Sequence, residues 1–314
     1  MNIKRQASGV APLATVGSKA GSADRLDAFA ISLMLMLTLS WGFNQVAIKL
    51  ANDGFQPLFQ GGIRSLAGGF LVWLWCRYRQ IPLFERDGTL IAGLLAGSLF
   101  AGEFALVYIG FDLTSASRGI LFLNTMPFFT AIGAHFFLGE RLTPVRILGL
   151  IAAFGGVYLV FSDRLGLTSP GAVRGDLFCL VAGFLWAATT VVIKGSTLRS
   201  APAEKTLLYQ LVISAATLLP VSLMVAPPLR SPDMISIGAL TFQTAYVVAI
   251  TYVLWFWLIR RYPASSLATF TFLSPVFGVI FSGLILGDPM SFRLIAALAL
   301  IAAGILLVNR PVRN

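Results

Sequence analysis

The sequence predicts an all-α integral membrane protein with ten transmembrane helices, built as two inverted five-helix repeats. Three observations support this fold class. First, 57% of the 314 residues are hydrophobic and only 11% are charged, whereas about 25% of the residues in a soluble domain are charged. Second, the chain contains a series of apolar runs of about 20 residues, each long enough to cross the hydrocarbon layer. Third, an internal repeat divides the sequence almost in half.

Each apolar run is expected to be a helix, because lipid offers no hydrogen-bond partners to an open backbone. The loops between the runs are short, which leaves no room for a separate soluble domain. The predicted spans are 26–50, 57–76, 88–111, 113–138, 144–161, 171–193, 206–225, 235–259, 263–286 and 290–308.

Residues 1–25 precede the first span and are polar and rich in Gly, Ala and Ser. This composition predicts a disordered cytoplasmic tail. With the N-terminus inside, most of the 23 Lys and Arg residues fall on cytoplasmic segments, and the positive-inside rule then places both termini in the cytoplasm. The net charge of +10 is therefore attributed to membrane orientation, and no nucleic-acid partner is predicted.

Two motifs occur once in each half of the chain. The nine-residue segment 41–49, which runs from Trp to Lys, returns as 186–194, and the segment 127–160 returns as 275–308. We therefore expect two repeat domains, at 26–162 and 163–310. Because each contains an odd number of spans, the second enters the membrane from the opposite side. Such inverted repeats predict alternating access to a shared central cavity.

The first and sixth spans carry polar side chains on the same helical face as a mid-span tryptophan. These side chains contact either substrate and water or neighbouring helices, and the sequence leaves both roles open. The residues are Trp41, Asn44 and Gln45 in the first span and Trp186, Thr189 and Thr190 in the sixth.

The second and third spans each contain a charge at similar depth, Arg64 and Glu103. Leaving either unpaired in hydrocarbon costs at least ~2.5 kcal/mol. We therefore expect Glu103 to pair with Arg64 or with Arg118. This pair has either a structural role or a functional one, in which Glu103 couples protons or the pair binds the charged groups of an amino acid.

The third and eighth spans contain aromatic side chains at helical spacing, and the fourth carries Asn124 and Phe128 beside a proline. Apolar walls with rings and a few amides suit an amphipathic metabolite with a large side chain. The residues predicted to line the cavity are Trp41, Asn44, Gln45, Phe104, Tyr108, Asn124, Phe128, Trp186, Thr189, Thr190, Gln243 and Tyr252.

Pro127 and Pro275 occupy equivalent positions in the fourth and ninth spans. A proline inside a helix removes one backbone hydrogen bond and permits a kink. The two prolines are predicted to be hinges for gating, with a static kink as the alternative. The fifth and tenth spans are rich in small residues, which permits close packing within the protein or in a dimer.

The Trp-Gly-x-Asn opening with Lys49, the mid-helix proline followed by Leu-Gly-Glu140, and the Gly-rich next helix resemble the EamA-type domains of the drug/metabolite transporter superfamily. The resemblance covers roughly 26–310 and is greatest to the bacterial inner-membrane aromatic amino acid exporters. It implies export of small metabolites, and a cavity lined mainly by the first four helices of each half. The second half departs from the pattern at Asp288 and Ala297.

The expected function is therefore export of aromatic and other large apolar amino acids across the bacterial inner membrane. A proton-coupled exporter of another drug or metabolite and a channel-like facilitator are the alternatives. No enzymatic activity is predicted, because the chain has no P-loop and no paired catalytic carboxylates. Cys76 and Cys179 lack the spacing of a metal site, so neither metal nor cofactor is expected. Membrane lipid is the expected partner besides substrate, and the sequence leaves monomer and homodimer open.

Overall fold

The computed structural model describes residues 26–114, 116–162, 171–286 and 293–310. The regular elements in these ranges are helices, and the only extended pairing among them is an isolated bridge between Phe55 and Leu229. The helices are α1 (Ala28–Gly54), α2 (Pro57–Tyr78), α3 (Leu90–Leu113), α4 (Ala116–Leu123), α5 (Met126–Leu138), α6 (Pro144–Phe161), α7 (Ala172–Gly195), α8 (Ala203–Val225), α9 (Met234–Phe242), α10 (Tyr252–Arg261), α11 (Ala264–Phe270), α12 (Leu273–Leu286) and α13 (Arg293–Val308).

Every span predicted from the sequence overlaps a helix or two consecutive helices. Within the described ranges, seven helical stretches are long and apolar enough to cross a membrane, and α6 and α13 contain shorter apolar helices. Over the described residues the structure thus confirms the predicted helical fold, with several helices of the length and composition needed to cross a membrane. The predicted tail at 1–25 and the position of Asp288 lie outside the described residues.

Contacts between the two halves come in matched sets. Helix α1 packs against α9 and α12, and its counterpart α7 packs against α3 and α5. Helix α2 contacts the segment that follows α9, while its counterpart α8 contacts α3. The remaining large contacts join counterparts directly, α2 to α8 and α6 to α13. The most extensive contacts between the halves are therefore paired.

The small residues of the fifth and tenth spans serve an internal contact, since α6 and α13 pack against each other. A Cβ added at Gly149 would lie 2.8 Å from the carbonyl oxygen of Gly304, and one added at Gly304 would lie 2.5 Å from the carbonyl oxygen of Gly149. Only glycine permits this approach of two backbones.

The fourth and ninth spans are interrupted. Helix α4 ends at Leu123 and α5 begins at Met126, just before Pro127; α11 ends at Phe270 and α12 begins at Leu273, just before Pro275. A proline excludes the carbonyl four residues earlier from the helical ladder, which explains a break on the N-terminal side of each proline. The sequence predicted a kink, and the structure has a two-residue turn at each place, with backbone hydrogen bonds such as Thr125 N–H to the carbonyl of Phe122 (3.1 Å) and Thr271 N–H to the carbonyl of Ala268 (3.0 Å).

The eighth span is not a uniform α-helix. Residues Gln243–Thr251, between α9 and α10, form a π-helix, which we call the π segment. The wider turn changes the direction in which the following side chains project. Thr251, at its end, donates a hydrogen bond to the carbonyl of Val247 (2.6 Å) and accepts one from Nε1 of Trp41 (3.0 Å).

Candidate functional site: a cavity between the two halves

A cavity of about 140 Å³ lies among helices of both halves. An engineered protein cavity of about 150 Å³ holds one benzene molecule, so this space accepts a six-membered ring or a branched aliphatic group. Its walls are formed by Trp41, Asn44, Gln45, Ile48, Phe100, Glu103, Phe104, Val107, Ile120, Leu123, Asn124, Trp186, Thr189, Thr190, Gln210, Tyr252, Trp255, Phe256, Thr271 and Ser274.

Aromatic rings make up one part of the wall. The ring of Trp41 meets Trp186, Tyr252 and Trp255 edge to face, with centroid separations of 6.3, 6.5 and 5.4 Å. Phe100 lies 6.2 Å from Tyr252, also edge to face. These geometries are favourable for aromatic pairs, and they hold the tryptophans of both repeat motifs at the same cavity.

Hydroxyl and amide groups make up another part of the wall. Thr189 and Thr190 donate to the carbonyls of Leu185 (2.9 Å) and Trp186 (3.1 Å) on their own helix. Their protons are therefore occupied, and the oxygen lone pairs remain to accept bonds. The Oδ1 atom of Asn44 is buried without a hydrogen-bond partner in the described protein.

Three of the predicted lining residues lie outside the cavity wall. Tyr108 belongs to a buried apolar cluster with Leu58 and Leu218. Phe128 contacts Phe154 and Phe272, at centroid separations of 5.5 and 6.3 Å. Gln243 accepts a bond from Nε2 of Gln60 (3.2 Å) and donates to the carbonyl of Ala47 (3.3 Å). Helical periodicity placed these side chains on inward faces, but neighbouring helices cover them.

Neither predicted ion pair is present within 4.0 Å among the described residues. Arg118 instead pairs with Asp176, an acidic residue that the sequence analysis did not consider. The Oδ1 atom of that carboxylate also accepts a 2.7 Å bond from Thr114. The prediction failed because α4 packs against α7, which carries Asp176, and this contact depends on tertiary structure.

Arg64 and Glu103 are both buried, at 1% and 6% exposure. Within the described ranges, no ion pair of 4.0 Å or less joins them. The guanidinium carbon of Arg64 lies 4.4 Å from the centre of the Phe104 ring, a cation–π contact. Glu103 was predicted to be one member of an ion pair, and it instead forms part of the cavity wall.

Sequence reasoning missed several wall residues. Thr271 lies in the turn between α11 and α12 and Ser274 in the first turn of α12, and both reach the cavity wall. Trp255 follows the π segment. The proline at position 275 was a usable signal for the first two, but the sequence carried no sign of the π segment.

A second set of contacts joins the halves outside the cavity. Glu140 accepts hydrogen bonds from the backbone N–H of Ala264 (2.7 Å) and of Ser265 (3.3 Å), at the start of α11. Lys194 Nζ lies 3.8 Å from Glu140 Oε1 and donates to the carbonyl of Tyr262. Glu140, the last residue of the Leu-Gly-Glu motif of the first half, thus caps the N-terminus of α11 in the second half. Lys194, the lysine of the second Trp motif, lies beside the Glu140 carboxylate.

Long apolar helices around a cavity with aromatic and polar walls define a multi-pass membrane transporter. The chain belongs to the EamA-like transporter family, which matches residues 28–162 and again residues 173–310. This match confirms the resemblance to EamA-type domains and the assignment to the drug/metabolite transporter superfamily.

Several relatives support the same class. A Salmonella typhimurium protein named a probable amino-acid metabolite efflux pump is 28% identical over 87% of this chain and 92% of its own length. An uncharacterized transporter of Bacillus subtilis, YvbV, is 29% identical over 88% of this chain and 90% of its own length. A solved crystal structure shares the fold with a TM-score of 0.78 at 16% identity, covering 90% of this chain and 96% of that one.

Proposed function

We propose that this protein exports small amphipathic metabolites across the bacterial inner membrane, with aromatic and other large apolar amino acids as its substrates. The observation that carries the proposal is the cavity wall, where Trp41 and Trp186 from the two repeats lie 6.3 Å apart beside polar groups. Rings and apolar walls suit the side chain of such a solute, and amides and hydroxyls suit its polar end. Two relatives named probable amino-acid metabolite efflux pumps support the export of metabolites in general.

Transport by alternating access between two inverted five-helix repeats is the mechanism we propose. The matched packing of α1 and α7 supports it, because each contacts the equivalent helices of the opposite half. A pseudo-twofold arrangement of this kind gives two conformations of similar energy, open to opposite sides. Both termini then face the cytoplasm, in agreement with the excess of Lys and Arg in the loops on that side.

Counterflow in proteoliposomes tests this proposal. Purified protein is reconstituted into vesicles loaded with unlabelled L-phenylalanine, and uptake of labelled L-phenylalanine is followed. A carrier accumulates label transiently and saturates, whereas a channel-like facilitator gives flux without counterflow. Repeating the assay with an imposed pH gradient distinguishes a proton-coupled exporter. Absence of movement for every amino acid tested would refute the proposed function.

A pair of matched threonine variants ties the flux to the cavity. Thr190 lies in the cavity wall and Thr217 is exposed on the surface of α8, and each donates its hydroxyl to the carbonyl four residues earlier. Thr190→Val and Thr217→Val therefore remove the same local bond. We expect only Thr190→Val to reduce the counterflow rate. An equal effect of both variants would place the transport path elsewhere.

A further inference from the structure

The carboxylate of Glu103 lies in the cavity wall without a partner. The residue is 6% exposed, and its Oε2 atom has no hydrogen-bond partner in the described structure. No ion pair reaches it within the described ranges either. A buried carboxylate in this state carries a large free-energy penalty. Uptake of a proton removes this penalty, and so does a hydrogen-bond donor or a cation that enters the cavity.

Arg64 places a positive charge near Glu103 without forming an ion pair with it. Its guanidinium lies over the ring of Phe104, in electrostatic range of Glu103 and of Tyr252. Arg64 is not part of the cavity wall, whereas the other three residues are. The carboxylate thus has a positive charge nearby, behind the wall, and Glu103 itself forms part of the wall.

Other wall groups also present acceptors. Thr190 and Thr271 donate their hydroxyl protons to backbone carbonyls, Trp186 (3.1 Å) and Ala268 (2.7 Å), which leaves oxygen lone pairs available. Gln210 donates to the backbone through Nε2, and its Oε1 atom is buried without a partner. A group with several N–H donors and no acceptor complements such a wall, and a protonated primary amine is that group.

The aromatic part of the wall favours the same charge. The faces of tryptophan, tyrosine and phenylalanine rings attract cations within about 6 Å of the ring centre. Trp41, Trp186, Tyr252 and Trp255 form one contiguous cluster through centroid separations of 5.4–6.5 Å around Trp41. A cation beside Glu103 is therefore in a cavity whose walls include these rings.

We propose that Glu103 binds the protonated amine of the transported solute, so that the cavity selects amines and amino acids with an apolar or aromatic group and excludes the corresponding acids that lack the amine. This inference rests on the proposed function and names the group that recognises the substrate class. Glu103 is then neither half of a structural ion pair nor only a proton carrier.

Equilibrium binding to the purified full chain in detergent tests the proposal. The probes are 2-phenylethylamine, L-phenylalanine and 3-phenylpropionate, which share a phenyl ring and differ in charged groups. Quenching of tryptophan fluorescence reports occupancy, because Trp41, Trp186 and Trp255 line the cavity. We expect phenylethylamine to bind at least about tenfold more tightly than phenylpropionate. A hydrogen bond between the protonated amine and the charged carboxylate accounts for a difference in affinity of that size.

Two variants complete the experiment. Glu103→Gln is expected to weaken binding of phenylethylamine by about tenfold or more, while Glu85→Gln, a change in the exposed loop before α3, leaves it unaltered. If Glu103→Gln abolishes dependence on a pH gradient but binds phenylethylamine normally, Glu103 carries a proton and the proposal is overturned. Equal binding of phenylethylamine and phenylpropionate to the unaltered protein also overturns it, whether or not the variant folds.

The same experiment keeps the two proposals apart. Amine-selective binding that depends on Glu103, without counterflow of any amino acid, would refute export and retain this binding site. Counterflow of L-phenylalanine together with equal binding of phenylethylamine and phenylpropionate would support export and refute the proposed role of Glu103.

Discussion

Replacing Glu140 with glutamine removes the charge that joins the two halves outside the cavity. The carboxylate accepts bonds from the backbone N–H groups of Ala264 and Ser265, and it lies 3.8 Å from Lys194 Nζ. The side chains of Lys194 and Glu140 are only 7% and 13% exposed. Glu140→Gln therefore leaves a buried ammonium with the carbonyl of Tyr262 as its remaining partner.

Removal of one partner from a buried ion pair costs about 3–5 kcal/mol. At roughly 2 °C per kcal/mol for a chain of this size, Glu140→Gln lowers the midpoint of thermal unfolding by about 6–10 °C. Unfolding is followed in detergent with a thiol-reactive fluorophore, because Cys76 and Cys179 are free and buried in the folded protein. Each becomes reactive only as its helix is exposed.

A double-mutant cycle provides the control. Lys194→Met removes the opposite charge, and the double variant Glu140→Gln/Lys194→Met leaves no unpaired charge. We expect the double variant to be more stable than the sum of the single effects by about 0.5–3 kcal/mol, the range for residues in contact. Strict additivity, or a Glu140→Gln protein as stable as wild type, would refute this account of the contact.

Three further outcomes are expected. Pro127→Ala and Pro275→Ala slow counterflow without weakening L-phenylalanine binding, and unchanged rates would reject the hinge hypothesis. Hydrogen bonds, chiefly from the hydroxyl of Thr89, lower the pKa of Asp87 to about 2, so its stabilising effect is present above pH ~4. The difference in unfolding midpoint between wild type and Asp87→Asn should shrink as the pH falls from 4 toward 2. Gly149→Ala destabilises the α6–α13 contact by about 1–3 kcal/mol, whereas Gly155→Ala, where an added Cβ meets no atom within 4 Å, does not lower the unfolding midpoint.

Much of the candidate site was predictable from local pattern. Trp41, Asn44 and Gln45 were placed in the cavity because polar side chains inside a membrane helix avoid lipid and must share one face. The same reasoning applied to Trp186 and Thr190 in the second copy of the motif. The structure brings all five to one cavity.

The failures share a different cause. Tyr108 and Gln243 have the right helical phase, but Leu58 and Gln60 of α2 cover them. The partner of Arg118 could not be found because depth in the membrane says nothing about which helices are neighbours. Partners are set by packing, and packing depends on the whole bundle.

The sequence alone determined that this is a helical membrane protein with an internal sequence repeat. The low content of charged residues indicates that most of the chain lies in lipid, where the backbone must satisfy its own hydrogen bonds. It also determined where the helices lie and which faces carry polar groups. Only the tertiary structure decided that Arg118 pairs with Asp176, that Glu140 caps α11, and that Glu103 reaches the cavity without a partner. These contacts join residues distant in the chain, and their formation depends on the relative positions of packed helices, which no local pattern encodes.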